Sequence, residues 1–507
     1  MAEMKHYTLG EYVKLLEEKG MLAEYDLQGK DGEEIKLLTY DSREVTQGTL
    51  FICKGAAFKA EYLKNSMNQG AVCYVSEKKY ELGKEVPYIL VKGIRDAMAV
   101  LANFFYNKPW EDLAVIGFGG TKGKSTSTYY MKAVVDDYLA AQDKPESAVI
   151  STIDIYDGKS KVESHITTPE AVELQMHLRN ALDCNIEYAE MEISSQALKY
   201  GRVDEMQFDV SVFLNISEDH ISPIEHPDFE DYFQSKMKMF EKSKTAVVNL
   251  DADYIDQILE ASKAAGEVVT FSTKNPEADY YAYNIHKEGK DIHFSVKCEA
   301  FDEEFVLTMP GFFNVENALG VVAASVKLGI PTEYIHSGLR RARSSGRMEF
   351  YHSKDHEVMA IVDYAHNKLS FEKLFSAMKE EFPDYGLVAI FGCPGKKSLL
   401  RRKYLGTIAG QYSKMVYLVA EDPGYEPVED ISKEIAQYVE AQKCPYKMIE
   451  DRGEAIKDAI ETAEGKTLLL VTGKGAETRQ KYGCEYLDCP SDVEYVQRYL
   501  AEYDSRH

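Results

Sequence analysis

The segment GFGGTKGKSTSTYY, residues 117–130, constrains the fold of this chain more than any other part of its sequence. The apolar run LAVIGF precedes it and is typical of a buried strand. Apolar residues at helical spacing follow it: Met131, Val134, Val135, Tyr138 and Leu139. A glycine-rich turn between a strand and a helix N-terminus presents backbone N–H groups to phosphate. The segment therefore predicts a phosphate-binding loop, although a tight strand-to-helix turn with an incidental lysine has a similar pattern.

The glycines of this segment depart from the common phosphate loop, G-x-x-x-x-G-K-[ST]. Phe118 stands where the first glycine of that loop would fall, and the glycines at 117, 120 and 123 are spaced by three residues. Phosphate binding does not depend on the missing glycine, because Lys124 can still neutralise a phosphate and Ser125 can still ligate Mg²⁺. We therefore expect the loop to bind ATP.

Length and charge restrict the architecture and the partners. The 507 residues are enough for about three domains. The chain carries 59 basic and 84 acidic side chains, which gives a net charge of -25. Such a surface repels nucleic-acid backbones and anionic lipids, so we expect neither as a partner. A small anion held in a local basic pocket is compatible with it.

Cysteine usage and hydropathy indicate the compartment. The eight cysteines include no CxxC pair, which is typical of reduced thiols rather than of disulfides or a zinc site. The first residues, MAEMKHYTLG, lack a basic-then-apolar signal pattern. No apolar run approaches the ~18–20 residues of a membrane span. We expect a cytoplasmic, monomeric protein without membrane insertion.

Strand and helix patterns alternate along the whole chain and predict an α/β fold. In the last third, the apolar runs VMAIVDYAHN, LVAIFGCPG, MVYLVAEDPG and TLLLVTGKG alternate with helical stretches such as VEDISKEIAQYVEAQ. This alternation favours a parallel, doubly wound sheet. Ligands bind such sheets beyond the carboxyl ends of the strands, so we expect the polar tails DYAH, GCPG, EDPG and GKGAE to line that edge.

The three-residue glycine spacing resembles the G-T-N-G-K-T loop of the Mur ligase superfamily, ATP-dependent amide-forming enzymes of cell-wall and folate metabolism. Other motifs resemble the same superfamily in chain order, over residues of about 40 to 480: TYDSR from Thr39, TTPEAVELQ from Thr167, EISSQAL from Glu192, GRV from Gly201, SEDH from Ser217, YFQSK from Tyr232, FNVENALG from Phe313, GRME from Gly346, DYAH from Asp363 and GKGAE from Gly473. The set is similar to the branch that adds the third amino acid to UDP-N-acetylmuramoyl-dipeptide.

This resemblance implies three domains. Residues 1–110 would form a small α/β uridine-binding domain, residues 111–344 a central ATPase domain with a mostly parallel sheet, and residues 345–507 a Rossmann-like domain for the incoming amino acid. It implies that ATP phosphorylates the D-Glu carboxylate of UDP-N-acetylmuramoyl-L-Ala-D-Glu before an amine attacks. Two alternatives remain: a folyl- or poly-glutamate-synthase-like ligase, which generally lacks such a first domain, and a non-catalytic nucleotide-binding scaffold.

Metal binding is predicted beside the loop. Glu192 and His220 each follow a predicted strand, as Mg²⁺ ligands next to Ser125 would. Alone, the first is ordinarily a solvated or capping acid and the second a helix-entry residue. Lys236 has the pattern of a solvated helix lysine, but the resemblance implies that CO₂ carbamylates it into a ligand for a second Mg²⁺. Lys124, His220 and Lys236 are then the implied catalytic residues.

The resemblance also implies the ATP-binding residues. Asn314 and Asn317 match adenine-side asparagines, although an asparagine there could cap a helix. Arg347 and Asp363 would approach the phosphates from the third domain on closure, although Arg347 could instead form an interdomain salt bridge. The full implied set is Gly120, Thr121, Lys122, Gly123, Lys124, Ser125, Thr126, Asn314, Asn317, Arg347 and Asp363.

Two further sets follow from matched motifs. The positions that would hold the UDP substrate are Ser42, Thr167, Thr168, Ser194 and Arg202, although serines and threonines of this kind are often turn or cap residues. Members that add meso-diaminopimelate carry D-N-P-R, whereas this chain has EDPG, residues 421–424. An acidic pair without the guanidinium favours a substrate ending in an amine, L-lysine or ornithine, unless EDPG is only a β-turn.

In the amino-acid site, Glu477 is expected to take the α-ammonium group and Arg402 the carboxylate. The implied residues of that site are Arg402, Glu421, Asp422, Gly473 and Glu477. The sequence also departs from the superfamily pattern: Lys122 replaces the usual asparagine of the loop, Gln196 replaces a histidine, and DYAHNKLS replaces DYAHTPDS.

Overall fold

The computed structural model describes residues 4–55, 58–83, 85–164, 166–219, 221–222, 225–344, 346–396 and 399–506. Over these ranges the chain has a mixed α/β fold with mostly parallel sheets, as the strand and helix patterns predicted. None of the helices in these ranges is long and apolar enough to cross a membrane.

The N-terminal part of the chain forms the first sheet and its helices. The elements are α1 (Leu9–Glu18), β1 (Leu22–Asp26), β2 (Leu37–Thr39), β3 (Thr49–Ile52), α2 (Ala60–Gln69), β4 (Ala71–Ser76), β5 (Tyr88–Val91) and α3 (Ile94–Phe105). The strand order is β1-β5-β4-β3-β2, parallel except for the antiparallel pair of β1 and β5. Helix α1 begins at a capping box of Thr8 and Glu11 and buries its apolar face.

The central part forms the largest sheet. Its elements are β6 (Ala114–Gly119), α4 (Lys124–Ala140), β7 (Ala148–Ile150), β8 (Asp154–Tyr156), β9 (Lys161–Glu163), α5 (Ala171–Asp183), β10 (Tyr188–Glu192), α6 (Ser195–Lys199), β11 (Phe208–Phe213), α7 (Phe229–Met237), β12 (Ser243–Asn249), α8 (Ile255–Ser262), β13 (Glu267–Ser272), β14 (Tyr280–Glu288), β15 (Asp291–Lys297), β16 (Asp302–Leu307), α9 (Phe313–Lys327) and α10 (Thr332–Arg341). Short 3₁₀ turns lie at Pro109–Glu111 and Phe240–Lys242.

Strand β6 lies at the centre of this sheet, in the order β16-β15-β14-β13-β12-β11-β6-β10-β7-β8-β9. It pairs in parallel with β10 on one side and with β11 on the other. The connection after β6 runs to β7 on the β10 side, whereas the connection after β11 runs to β12 on the opposite side. Such a switch point is where open parallel sheets bind ligands. The predicted strand LAVIGF and the helix after it are thus confirmed as β6 and α4, and Met131, Val134, Val135 and Leu139 are buried.

The C-terminal part forms a third sheet. Its elements are β17 (Glu349–His352), β18 (Val358–Asp363), α11 (Lys368–Glu381), β19 (Gly386–Phe391), α12 (Leu400–Tyr412), β20 (Met415–Leu418), α13 (Val428–Ala441), β21 (Tyr446–Met448), α14 (Arg452–Glu461), β22 (Thr467–Thr472), β23 (Arg479–Tyr482), β24 (Glu485–Asp488) and α15 (Asp492–Asp504). The order β17-β18-β22-β19-β20-β21 is parallel apart from β17, and β23 pairs with β24. The four predicted strands are β18, β19, β20 and β22.

Several antiparallel strands were not anticipated from the sequence. Strands β14 to β16 extend the central sheet at one edge, and β8 and β9 extend it at the other. In β15, buried Ile292, Phe294 and Val296 alternate with less buried residues. This period of two, next to the turn at Gly289, is a signal from which the hairpin could have been found.

The central and third parts share one hydrophobic core. The same cluster of buried residues contains Val134 of α4 and Leu339 of α10 from the central part. It also contains Met348, just before β17, and Phe371 of α11 from the third part. Apolar contact of this kind holds the third sheet against the central one. The residues that lie between the two parts are therefore packed close to the phosphate loop.

We expect Arg452→Ala to lower the free energy of unfolding of the third part by about 3–5 kcal/mol, because it leaves a buried carboxylate unpaired. The guanidinium of Arg452 donates from Nε and from a terminal nitrogen to Asp492, at 2.9 and 2.6 Å, and also to the carbonyl oxygen of Thr472 at 2.9 Å. These bonds join the starts of α14 and α15 to the end of β22. Urea unfolding followed by circular dichroism measures the loss.

The matched control is Arg498→Ala on α15. Arg498 is exposed and pairs with Glu502 one helical turn away, at 3.2 Å, so its loss should cost less than about 0.5 kcal/mol. Equal effects of the two substitutions would contradict a stabilising role for the buried pair.

Candidate active site

The phosphate loop lies where the chain leaves β6 and enters α4. Gly120 and Gly123 have positive φ angles of 137° and 86°. A Cβ atom on Gly123 would lie 2.2 Å from Oδ1 of Asn317 on α9, so both the backbone and the neighbouring helix require glycine. The side chain of Asn215 braces the loop, since it accepts from the N–H of Lys122 at 2.9 Å and donates to its carbonyl oxygen at 3.1 Å. The unusual glycine spacing thus accompanies close packing of the loop under α9.

Lysine side chains converge on this loop. Nζ of Lys124 donates to the carbonyl oxygens of Gly120 and Thr121, at 3.1 and 3.2 Å. Nζ of Lys236, on α7, donates to the same Gly120 oxygen at 2.7 Å. Lys236 is only 2% exposed, so it is not the solvated helix lysine that its sequence pattern suggested. Lys122 extends from the loop to Asp219, with its Nζ 3.2 Å from Oδ2.

The charges of these lysines are destabilised where they lie. Burial lowers the pKa of Lys124, and burial together with the charge of Lys124 lowers the pKa of Lys236 well below its usual value. Burial likewise lowers the pKa of Lys122 to about 8. Cations held together in a buried position against their own solvation and mutual repulsion are typical of a site that binds a highly charged anion.

The third sheet contributes Arg347 to the loop. A terminal nitrogen of its guanidinium donates to Oγ of Ser125 at 3.2 Å, and the group lies over the ring of Tyr364, 4.4 Å from its centroid. Gly346 makes this approach possible, because a Cβ there would lie 2.4 Å from the backbone nitrogen of Ala476. The contact of Arg347 with the loop is thus a hydrogen bond to a hydroxyl group.

Asp363 ends β18, and its carboxylate accepts hydrogen bonds from the backbone around it. Its two carboxylate oxygens accept from the N–H groups of Met348 and Ala365, at 2.9 and 2.7 Å. Burial raises the pKa of Asp363. Its carboxylate therefore fixes the segment that carries Arg347 relative to β18.

Two clefts meet at Arg347 and Tyr364. The first lies between the loop, α9 and the start of α11. It brings together seven of the residues predicted to bind ATP: Lys122, Gly123, Thr126, Asn314, Asn317, Arg347 and Asp363. The second, of about 310 Å³, includes Glu163 of β9, Lys474 and Glu477. A group transferred between the two clefts would pass Arg347.

Oxygen donors suited to Mg²⁺ lie beside Lys124. Glu192 ends β10, next to β6, and its charge acts on the pKa of Lys124, while Ser125 follows Lys124 directly. Within the described ranges there is no cluster of three or more histidine, cysteine or acidic side chains, and the predicted ligand His220 lies outside those ranges. A carboxylate and a hydroxyl fit Mg²⁺, which usually keeps waters and phosphate oxygens in its shell.

Of the residues predicted for the UDP substrate, Thr168, Ser194 and Arg202 form a hydrogen-bonded group. Oγ1 of Thr168 donates to the carbonyl oxygen of Glu192 at 2.9 Å, and Ser194 caps α6. Arg202 donates to the carbonyl oxygen of Thr168 at 3.1 Å and pairs with Glu170 at 2.9 Å. Oγ1 of Thr152 donates to Oγ1 of Thr167 at 3.2 Å.

The first sheet reaches this group through side chains that the sequence interpretation missed. Lys54 pairs with Glu170 at 2.7 Å and lies over the ring of Tyr40, whose hydroxyl donates to Glu173 on α5. Ser42 lies in the turn after β2, two residues beyond Tyr40. The TYDSR motif is therefore next to the N-terminus of α5, where the TTPEAVELQ motif lies.

An acidic group lies at the carboxyl edge of the third sheet. The carboxylate of Glu421 lies over Gly473, where a Cβ would come within 2.2 Å of Oε2, and burial raises its pKa to about 7. Lys474 pairs with Asp422 at 3.1 Å and also with Glu477. Four of the five residues predicted for the amino-acid site are thus neighbours in space.

Arg402, the fifth, is occupied by other partners. Its guanidinium is 2% exposed and pairs with Glu426 at 2.7 Å and with Glu434 on α13. Binding of a substrate carboxylate would require it to leave these acids. The adjacent Arg401 instead donates to Oδ1 of Asp219, in the central part, at 3.0 Å.

Asp219 is the main residue of this site that sequence reasoning missed. Besides Lys122 and Arg401, it accepts a hydrogen bond from Nδ2 of Asn367, at 2.5 Å. Its motif, SEDH, was recognised, but only the neighbouring histidine was predicted to have a role. Lys122 and Asn367 both replace the residue that is usual at their positions in the superfamily, and both contact Asp219. These two departures were the sequence signal from which a role for Asp219 could have been predicted.

Comparison with known proteins agrees with this geometry. The Mur ligase middle domain matches residues 119–325, and the Mur ligase glutamate ligase domain matches residues 346–475. The UDP-N-acetylmuramoyl-L-alanyl-D-glutamate--L-lysine ligase of Enterococcus faecalis is 38% identical to this chain over 88% of each. The chain belongs to the Mur ligase family. A second Mur ligase relative, the UDP-N-acetylmuramyl-tripeptide synthetase of Lactobacillus acidophilus, is 31% identical over 98% of each chain.

The fold is likewise that of a Mur ligase. The solved structure of a UDP-N-acetylmuramoyl-L-alanyl-D-glutamate--2,6-diaminopimelate ligase aligns over 99% of this chain and 100% of that one, with a TM-score of 0.66 at 23% identity. The collinear motifs that indicated the Mur ligase family, and the three-part α/β architecture they implied, are confirmed.

Proposed function

We propose that this chain is an ATP-dependent amide ligase of peptidoglycan precursor synthesis, which adds L-lysine to UDP-N-acetylmuramoyl-L-Ala-D-Glu. The observation that carries the proposal is the hydrogen bond from Arg347 to Ser125. The same guanidinium group contacts the phosphate loop and belongs to a residue that lines both clefts. The names of the relatives and the acidic EDPG segment support lysine as the added residue.

The residues around the loop suit the two steps of such a reaction. The N–H groups at the start of α4 and Lys124 hold the phosphates of ATP, and Arg347 stabilises the γ-phosphoryl group as it passes to the D-Glu carboxylate. The lysine amine then attacks the acyl carbon, phosphate leaves, and an amide forms. Ser125, Glu192 and His220 would hold Mg²⁺, which would neutralise phosphate charge. Closure of the third sheet over the loop excludes water from the acyl phosphate.

We propose the remaining assignments from the motifs that the residues match. The nucleotide is bound by Gly120, Thr121, Lys122, Gly123, Lys124, Ser125, Thr126, Asn314, Asn317, Arg347 and Asp363. The UDP substrate is bound by Ser42, Thr167, Thr168, Ser194 and Arg202. The incoming amino acid is bound by Glu421, Asp422, Gly473 and Glu477, with Arg402 as a further candidate once it is released from Glu426.

We further propose that Lys236 becomes a carbamate and supplies a ligand to a second Mg²⁺. The amine nitrogen forms a bond to the carbon of CO₂ and releases a proton, which leaves an anionic oxygen pair. Complete burial and the lowered pKa of Lys236 support this, since the neutral amine is the nucleophile and a negative group would relieve the repulsion from Lys124.

We propose domain boundaries at 1–110, 111–344 and 345–507, each enclosing one of the three main sheets. We propose a cytoplasmic, monomeric enzyme with small-molecule substrates, ATP and a UDP-linked dipeptide.

Phosphate release tests the proposal directly. With ATP, Mg²⁺ and UDP-N-acetylmuramoyl-L-Ala-D-Glu present, L-lysine should release phosphate at least about tenfold faster than meso-diaminopimelate, since the acidic edge favours a terminal ammonium over a carboxylate. Ornithine measures the tolerance for chain length. Release with diaminopimelate alone would overturn the amino-acid assignment, and release with none of the three would overturn the ligase assignment.

A further inference from the structure

Three side chains, each from a different segment, meet at the carboxylate of Asp219 between the phosphate loop and the third part. We call Lys122, Asp219, Asn367 and Arg401 the Asp219 bridge. Oδ2 of Asp219 accepts from Nζ of Lys122 at 3.2 Å and from Nδ2 of Asn367 at 2.5 Å, and Oδ1 accepts from Arg401 at 3.0 Å. The Asp219 side chain is 4% exposed, so these bonds form away from bulk water.

The two donors from the third part are held rigidly. Asn367 caps α11, because its Oδ1 accepts from the N–H of Ser370 at 3.1 Å, so its amide nitrogen is directed outward from the helix start. Arg401 lies in the first turn of α12, and its side chain is 14% exposed. Movement of the third sheet away from the loop would break both bonds to Asp219.

Lys122 is the member of the bridge that belongs to the nucleotide site. Its backbone is bonded to Asn215, its side chain lines the nucleotide cleft, and its Nζ bonds Asp219. An asparagine at this position, as in the superfamily pattern, carries no charge and has a shorter side chain. The phosphate loop of this chain is therefore connected to the third part by a charged contact in addition to the bond between Arg347 and Ser125.

We propose that Lys122 is a positioning residue, which acts through Asp219 on Asn367 and Arg401 to hold the third part where Arg347 reaches the phosphate loop. The inference rests on the proposed ligase function for its kinetic consequences, but the contact itself is independent of the reaction. Because one side chain contacts both the nucleotide cleft and the bridge, nucleotide binding and closure of the third part are coupled.

The kinetic test uses Lys122→Asn, Arg401→Ala and the double variant. Each single change should lower kcat by about 10- to 100-fold, the loss of one charge-assisted hydrogen bond, with KM for the UDP substrate within about twofold of wild type. Because both act through Asp219, the double variant should lose clearly less than the product of the two single losses. Lys122→Arg should retain kcat within about threefold, since it keeps the charge. The control Lys403→Ala, exposed on the same helix as Arg401, should leave kcat unchanged.

A structural readout separates this inference from the proposed function. In hydrogen–deuterium exchange of the full chain, a non-hydrolysable ATP analogue should protect residues 363–371 in wild type and much less in Lys122→Asn or Arg401→Ala. Multiplicative losses in the double variant, or unchanged protection in both single variants, would overturn the bridge. If wild type released no phosphate with any amino acid, the ligase assignment would fail while the exchange experiment still decided the bridge.

Discussion

Lys124→Ala should lower kcat/KM for ATP by about 10²–10³-fold while leaving the fold intact. The side chain lies at the N-terminus of α4, where its Nζ donates hydrogen bonds to two loop carbonyl oxygens. Burial already lowers its pKa, so its charge is less stable here than it would be in water. Loss of this charge should therefore not lower the melting temperature. Phosphate release and differential scanning fluorimetry together measure the two effects.

The matched control for this substitution is Lys144→Ala. Lys144 lies just beyond α4 and pairs with Glu187 at 2.9 Å on the surface, so its removal should change kcat/KM by less than about twofold. A loss of melting temperature in Lys124→Ala that paralleled the loss of activity would contradict the assignment, because it would indicate a structural lysine.

Lys236→Ala should abolish most of the activity, with a loss of about 10²-fold or more, if the side chain carries an anionic ligand for Mg²⁺. Lys236→Arg should not restore activity, because a guanidinium keeps the positive charge and does not form a carbamate. The modification itself is measurable by ¹³C nuclear magnetic resonance of protein equilibrated with ¹³C-labelled bicarbonate.

The control for this prediction is Lys238→Ala, an exposed lysine two residues further along the chain, which should keep wild-type activity. Activity of Lys236→Ala within a few-fold of wild type would eliminate the carbamate. A full loss of activity without a ¹³C signal would instead indicate that the amine acts as a cation toward the phosphates.

Local patterns allowed the parallel strands and the position of the loop to be predicted, because they depend on short-range spacing. The runs that became β6, β18 and β22 are continuous apolar segments followed by polar residues, and a parallel sheet places such tails at one edge. The antiparallel strands β14 to β16 were missed because their alternating residues are partly polar, and their pairing depends on contacts along one sheet edge.

The environment of single lysines could not be predicted in this way. Lys236 has the sequence surroundings of a surface residue, yet it lies buried against a carbonyl 116 residues earlier in the chain. Arg402 was predicted from sequence to bind the substrate carboxylate, but only the packing of α12 decides that its guanidinium pairs with Glu426 and that of Arg401 with Asp219.

The sequence by itself determined the family, the α/β architecture and the identity of the phosphate loop, because glycine spacing, strand runs and motif order are local properties of the chain. Only the tertiary structure decided which charges meet: three lysines around one loop, Arg347 on Ser125, and Asp219 between Lys122 and two donors of the third sheet. The contacts made by Lys236, Arg347 and Asp219 join residues more than 90 positions apart, and their strength depends on burial.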